Sequence, residues 1–103
     1  MAKSIKHKLP EVIDIYGLFI SIEMKHNLRE EYDAIGTYYE KDQVIEIQSD
    51  LEPDDEMITF LHECGHVIFR RLSFCEGIDS QLEEAIVDTF AKWMVENFYI
   101  LPK

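Results

Sequence analysis

The chain has 103 residues, 21 acidic and 10 basic, and a formal net charge of −11 at pH 7. A surface with this charge repels phosphate backbones, so we expect no nucleic-acid partner, and a hydrophobic content of 47% fits one folded domain over residues 1–103. No stretch approaches the roughly 20 apolar residues of a membrane span. The N-terminus lacks the apolar run of a signal peptide, so the expected location is the cytoplasm, away from membranes.

The first part of the chain predicts a helix and then a strand. Apolar residues recur at helical spacing over residues 5–16, and Gly17 is a typical helix stop. Residues 18–25 place an apolar side chain at every second position, which is the period of a strand. A helix that continues through Gly17 is the alternative for this segment.

The next segment predicts a loop and a β-hairpin. Residues 27–33 are largely polar and indicate a loop. Residues 35–39 and 43–48 are rich in tyrosine, valine and isoleucine and flank a charged turn at 40–42, which indicates two antiparallel strands. The sheet is therefore expected to be small and antiparallel.

The second half of the chain predicts two helices. Pro53 suits the first position of a helix that runs over about residues 54–72. A loop over 72–77 follows, and residues 80–83, Ser-Gln-Leu-Glu, have the spacing of a capping box that opens a last helix ending near residue 98. The predicted fold class is α+β, with an N-terminal helix, a small antiparallel sheet and two further helices.

The first of these two helices carries the pattern His-Glu-x-x-His at residues 62–66. Histidines four residues apart lie on one helix face, so His62 and His66 can bind a single metal ion, with Glu63 beside a water on that ion. A surface helix with two exposed histidines would have the same sequence pattern. The apolar residues around the motif favour a largely buried helix, in which two stacked histidines need a partner.

A zinc site of this kind needs a third protein ligand. Glu84 lies far enough after His66 for one loop and an antiparallel helix, and Asp88 shares its helix face, where it could accept the free ring N–H of a ligating histidine. A solvated face with an ion pair between Asp88 and Lys92 is the alternative, and Glu83 is a weaker candidate ligand. The other carboxylates that follow the motif are Glu76, Asp79 and Glu96.

Both cysteines are expected to be free thiols in a cytoplasmic protein. Cys64 lies inside the motif but points to another side of the helix than the histidines, so we interpret it as a small core residue and not as a ligand. Cys75 falls in the loop between the last two helices, and nothing in the sequence connects it with a metal.

Residues 84–90, Glu-Ala-Ile-Val-Asp-Thr-Phe, are similar to the segment that carries the third ligand in the gluzincin metallopeptidases. The chain more closely resembles the small ImmA/IrrE-type metallopeptidases, which include phage-encoded members. Their Gly-x-Tyr strand, isoleucine-rich strand, acidic linker with a proline, and histidine helix resemble residues 35–39, 44–47, 51–54 and 62–66 here. The resemblance covers about residues 33–94.

This resemblance implies a zinc-dependent metallopeptidase with a minimal zincin-like fold. It implies His62, His66 and Glu84 as zinc ligands, Glu63 as the general base for a zinc-activated water, and Asp88 as the carboxylate behind a ligating histidine. The implied reaction is hydrolysis of peptide bonds in a protein or peptide substrate, such as a regulatory protein.

Two features of the family pattern have no clear counterpart. We expect no helix-turn-helix domain, which family members often carry, within these 103 residues. The transition-state donor of larger gluzincins has only weak candidates: Tyr38, Tyr39, Tyr99, His7 and His26. Strand 43–48, if it edges the cleft, could pair with an extended substrate.

Two alternative functions remain open. One is a zinc-stabilised binding or regulatory module with little catalysis, and the other is a metal-free helical adaptor.

Overall fold

Four strands and three helices make up the part of the protein that the computed structural model describes, residues 9–72 and 77–98. In chain order they are β1 (Val12–Ile15), β2 (Leu18–Lys25), α1 (Leu28–Tyr32), β3 (Gly36–Tyr39), β4 (Val44–Gln48), α2 (Pro53–Arg71) and α3 (Ser80–Phe98). The α+β class, the strand over 18–25, the hairpin around 40–42 and the last two helices are confirmed. No helix in these ranges combines the length and the apolar content that a membrane crossing needs.

A tight β-hairpin occupies the place of the expected N-terminal helix. Tyr16 and Gly17 have φ angles of 51° and 86°, and the Asp14 carboxylate accepts a hydrogen bond from the Gly17 N–H at 2.7 Å. Two successive residues with positive φ form a turn whose twist suits antiparallel strands, so β1 pairs with β2. The helix predicted over 5–16 is therefore wrong where β1 lies, and its first four residues fall outside the described ranges.

The sheet is mixed, with the strand order β1-β2-β4-β3, which corrects the expected antiparallel sheet. β2 and β4 are parallel, whereas β3 and β4 are antiparallel. The chain reaches the outer edge of the sheet through α1, forms β3 there, and returns as β4 between β3 and β2. Because β4 is an interior strand, the condition under which strand 43–48 would pair with a substrate is not met, and β3 is the edge strand on this side of the sheet.

The short helix α1 replaces the loop that was expected over residues 27–33. Leu28 anchors it in the interior, with 1% of its surface exposed. The buried Gln48 side chain accepts a hydrogen bond from the Arg29 N–H at 2.9 Å and donates one to the His26 carbonyl at 2.7 Å. Since Gln48 belongs to β4, this helix depends on tertiary contacts that local polarity does not reveal.

α2 lies against the sheet and forms the core with it. The buried residues of the core cluster all come from the sheet and from α2, and they are Ile15, Ile20, Ile22, Ile45, Ile47, Phe60, Cys64 and Val67. β3 comes close to α2 at Gly36, where a Cβ atom would lie 2.5 Å from Thr59 Cγ2 and 3.2 Å from Glu63 Oε2. A glycine at this position therefore lets the edge strand form one wall beside the motif.

α3 runs antiparallel to α2 and packs against it. The Asp79 carboxylate accepts a hydrogen bond from the Leu82 N–H at 2.8 Å, so Asp79 caps the helix in place of the predicted capping box at Ser80. Gly65 of α2 faces Val87 of α3, and a Cβ on Gly65 would lie 2.8 Å from Val87 Cγ1. The missing side chain at Gly65 lets α3 come close enough for its carboxylates to reach the histidines.

Candidate metal centre

The two histidines of the motif converge on one carboxylate oxygen. His62 Nε2 lies 2.7 Å and His66 Nε2 lies 3.1 Å from Oε1 of Glu84. One ligand atom of each residue lies within 4.8 Å of the other two. Two imidazole nitrogens and a carboxylate oxygen are a donor set that fits zinc and other divalent metals. These three residues therefore lie close enough together to hold a metal ion.

The second nitrogen of each histidine faces a carboxylate of its own. His66 Nδ1 lies 2.6 Å from Glu83 Oε2, and His62 Nδ1 lies 3.4 Å from Asp88 Oδ1. A neighbouring carboxylate favours the proton on Nδ1, which leaves the lone pair of Nε2 for a ligand. The structure thus places Asp88 behind a histidine, where the sequence predicted it.

Glu83 has a place in the site that the sequence analysis missed. The sequence suggested it only as a weaker candidate for the third ligand, but its side chain contacts the back of His66 and only 4% of the residue is exposed. The sequence contained a signal for this position, because Glu83, Val87 and Ala91 are spaced four residues apart and share one helix face. Val87 and Ala91 are both buried. A carboxylate within a buried stripe needs a polar partner.

The charged groups of the cluster shift one another's pKa. Burial alone would lower the pKa of His66, but the hydrogen bond with Glu83 and the charges of two further glutamates outweigh burial and raise it. Burial alone would raise the pKa of Glu84, but its hydrogen bonds with the two histidines and their charges lower it. The cluster therefore favours positive charge at its centre, whether as protons or as a metal cation.

Asp88 links the cluster to a lysine at the border of the cavity. Lys92 Nζ lies 2.9 Å from Asp88 Oδ2, while the other carboxylate oxygen faces His62. The hydrogen bond from Lys92 is the main cause that lowers the pKa of Asp88. The same carboxylate therefore contacts both Lys92 and His62, the two neighbours considered from the sequence.

Glu63 borders the same cavity as His62 and Glu84, a cleft of about 420 Å³. Its side chain is buried, and burial raises its pKa; the two histidines oppose this rise and the charge of Glu84 adds to it. Gly36, the first residue of the edge strand, and Ile35 just before it also line this cavity. A carboxylate with a raised pKa accepts a proton more readily than an ordinary glutamate, which suits a base beside a metal position.

Several other residues that the sequence singled out lie elsewhere. Cys64 lies in the core, as interpreted, and burial raises the pKa of its thiol to about 12. His26 contacts Ser49, with 2.9 Å between Nδ1 and Oγ. Tyr38 lines a neighbouring cavity beside Arg70. Four residues named from the sequence lie outside the described ranges: His7, Cys75, Glu76 and Tyr99.

A scan against protein-family models and searches of curated proteins and of solved structures each found no match to this chain. The function must be inferred from the residues themselves. Three donors converge on one point, two carboxylates lie behind the histidines, and a buried glutamate lies beside them in an open cleft.

Proposed function

We propose that this protein is a zinc-dependent metallopeptidase of the gluzincin type, similar to the small ImmA/IrrE-like enzymes, that hydrolyses peptide bonds of a protein substrate. The observation that carries this proposal is the convergence of His62 Nε2 and His66 Nε2 on Glu84 Oε1, in a cleft bordered by Glu63. Catalytic zinc sites use three protein ligands and keep one position open, whereas structural sites are closed by four. A site with three donors and an adjacent buried carboxylate fits the catalytic kind.

Each residue of the site has a defined task in this proposal. His62, His66 and Glu84 would hold Zn²⁺, which when bound supplies Lewis-acid polarisation of a carbonyl and a lowered pKa for water. Glu63 takes the proton from the attacking water and delivers it to the leaving amine, a task that its raised pKa supports. The two carboxylates behind the histidines keep both rings oriented with Nε2 directed at the ion.

The edge strand β3 is where we place an extended substrate. Gly36 pairs with Ile47, and the Gln48 N–H donates a hydrogen bond to the Ile35 carbonyl. In this register the backbone N–H and C=O groups of Gly36 and Tyr38 point away from β4. A peptide that adds to the sheet as a further strand would hydrogen-bond to these groups and run along the cleft.

An apolar stripe on α3 favours a second candidate function, a zinc-stabilised module that binds a protein partner with little or no catalysis. Leu82, Ile86, Phe90 and Trp93 recur at helical spacing, and between 41% and 57% of each residue is exposed. A contiguous exposed apolar patch is typical of contact with another protein. This function needs the fold and the metal but not the carboxylate of Glu63.

The Glu63→Gln variant separates the two functions. Glutamine keeps the size of the side chain but cannot act as a base, so we expect an unchanged zinc content and a loss of cleavage of about 100-fold or more. Cleavage is measured by mass spectrometry on an unbiased peptide mixture. Glu56→Gln is the matched control, because Glu56 is also buried on α2, two turns before Glu63, but does not border the cleft.

Two outcomes would contradict the proposal. Stoichiometric zinc in the unsubstituted protein and in Glu63→Gln, with no difference in cleavage between them, would rule out the peptidase function and leave the binding module. Unchanged zinc affinity in Glu84→Ala would show that the third ligand is wrongly assigned.

A further inference from the structure

Arg70 continues the helix face that carries the candidate site. Glu63, His66 and Arg70 follow one another along α2 at steps of three and four residues, so they lie on one face. Gly36 of β3 lies beside Glu63, and two residues further along the same strand Tyr38 lines a cavity of about 260 Å³ together with Arg70. The candidate metal centre and this second cavity therefore lie along the same strand and the same helix.

We propose that Arg70 and Tyr38 form a subsite for an acidic residue of the peptide substrate. This inference rests on the proposed peptidase function. Arg70 follows Glu63 by two helical turns, about 10 Å along the axis at a rise of about 1.5 Å per residue. An extended peptide covers this distance in about three residues, at about 3.3 Å each. The acidic residue is therefore expected about three residues from the cleaved bond.

The contacts of Arg70 allow its guanidinium to change partner. Its Nη1 lies 3.6 Å from Oε1 of Glu40, and 46% and 64% of the two side chains are exposed. An exposed ion pair at this distance is weak, so a substrate carboxylate can replace Glu40. Arg71 differs, because its Nε and Nη2 donate hydrogen bonds to the Tyr16 carbonyl at 3.1 and 3.0 Å, which hold it against the β1–β2 turn.

Tyr38 supplies a neutral hydrogen-bond donor beside Arg70. Burial raises the pKa of its hydroxyl, the charge of Glu40 adds to this rise, and the charge of Arg70 opposes it. The hydroxyl is therefore protonated at neutral pH and can donate to a carboxylate oxygen. A guanidinium and a phenol together supply the charge and the directed donor that a single carboxylate needs.

The other end of the cleft has the opposite charge. Asp55 lines it there and Asp54 precedes it in the first turn of α2, while Lys92 at this cavity is paired with Asp88 at 2.9 Å. The cleft thus carries negative charge where α2 begins, whereas the second cavity, further along α2, carries positive charge at Arg70. We expect the protein to distinguish peptides by the order of their charges. Because the chain has a net charge of −11, which repels acidic peptides in general, the test must compare peptides of equal net charge.

Two peptide pools of identical composition test the subsite. In the first pool, two glutamates precede four randomised positions and two lysines follow them. In the second pool, the two lysines come first and the two glutamates last. The ends of all peptides are blocked. Binding of the labelled pools to zinc-loaded Glu63→Gln protein is measured by fluorescence anisotropy, which does not depend on turnover. We expect one pool to bind about tenfold more tightly, the size of one charge-assisted hydrogen bond.

Substitution of the arginine assigns this preference to its source. In the same background Arg70→Glu should abolish or reverse the preference, and Tyr38→Phe should reduce it. Arg29→Glu is the matched control, because it makes the same change of charge at another exposed arginine in a weak pair, 3.5 Å from Asp50 and on α1. The control should keep the full preference.

The outcomes separate this inference from the proposed function. Pools that bind equally, pools that do not bind, or a preference that Arg70→Glu leaves unchanged would overturn the subsite. A preference that depends on Arg70, in a protein that cleaves no peptide when Glu63 is intact, would support the subsite and refute the peptidase function. Cleavage that depends on Glu63 but ignores the order of charges would refute the subsite alone.

Discussion

Glu83 and His66 meet between α2 and α3, with 2.6 Å between Oε2 of the glutamate and Nδ1 of the histidine. Glu83 is buried, and a buried carboxylate is costly unless it is hydrogen-bonded. The contact satisfies Glu83 and also fixes the ring of His66 with Nε2 directed at the candidate metal position. The orientation of one ligand is thus set by the packing of two helices.

Replacing Glu83 should weaken metal binding although it is not a ligand. In Glu83→Ala the His66 ring loses its partner at Nδ1, and we expect zinc affinity to fall by about 10- to 100-fold. Competition with a chromophoric chelator measures this affinity. Glu96→Ala, an exposed glutamate near the end of the same helix, is the control. Equal affinity in the two variants would show that Glu83 does not orient the histidine.

Gly65→Ala should separate the helices that share the site. A Cβ at residue 65 would lie 2.8 Å from Cγ1 and 3.0 Å from Cβ of Val87. Overpacking of this kind costs about 1–3 kcal/mol of unfolding free energy, more than alanine gains over glycine by helix propensity. Urea denaturation measures this loss. The double variant Gly65→Ala/Val87→Ala should lose less unfolding free energy than the two single variants lose together, because the smaller side chain at residue 87 removes the clash. Additive losses would show that the clash with Val87 is not the cause of the destabilisation.

Gly36→Ala should impair cleavage more than metal binding. The added Cβ would lie 2.5 Å from Thr59 Cγ2 and 3.2 Å from Glu63 Oε2, so it displaces the proposed base. The candidate ligands His62 and His66 are instead in contact with Glu84 of α3. Cleavage rate and zinc affinity are measured on the same preparation. Adding Thr59→Ser removes the methyl group that clashes and should restore part of the rate. Failure of this rescue, or equal loss of rate and affinity, would contradict the proposed cause.

The stabilisation by zinc should grow with pH. In the metal-free protein the pKa of His66 is raised, so its proton stabilises the fold below the usual histidine pKa, and this contribution is lost as pH rises through the raised value. Zinc needs the unprotonated ring, so it competes with that proton. We expect the zinc-induced rise in Tm to be larger at about pH 8 than at about pH 6. The reverse order would contradict the assignment of His66 as a ligand.

Cys64 should resist alkylation in the folded protein. Burial raises the pKa of its thiol to about 12, so the reactive thiolate is scarce at neutral pH. Iodoacetamide followed by peptide mapping should leave Cys64 unmodified in native buffer and modify it in denaturant. Rapid modification in native buffer would show that Cys64 is not the core residue described here.

Periodicity predicted the elements that carry the site. α2 and α3 are long and apolar at helical spacing, and once they are antiparallel neighbours the distance between His66 and Glu84 along the chain brings the two residues together. The residue types at positions 62, 66 and 84 are donors that could together hold a metal ion. Helix spacing and donor chemistry were sufficient for this part.

Other features depend on contacts between distant residues, which local patterns do not contain. The pairing of β2 with β4 follows from where the chain returns to the sheet, and α1 is held by Gln48 from β4. The β1–β2 hairpin depends on a left-handed conformation at Tyr16, which a non-glycine residue rarely adopts. The contact of Glu83 with His66 depends on the packing of α3 against α2.

The most direct test of the proposed function follows the appearance of new peptide ends in a peptide mixture. The mixture is incubated with metal-free protein, with protein reconstituted with one zinc per chain, and with Glu63→Gln protein reconstituted in the same way. We expect new ends only with the reconstituted unsubstituted protein, while Glu63→Gln holds the same amount of zinc. Cleavage at the same rate by the metal-free protein, or by zinc-loaded Glu63→Gln, would contradict a zinc peptidase with Glu63 as its base.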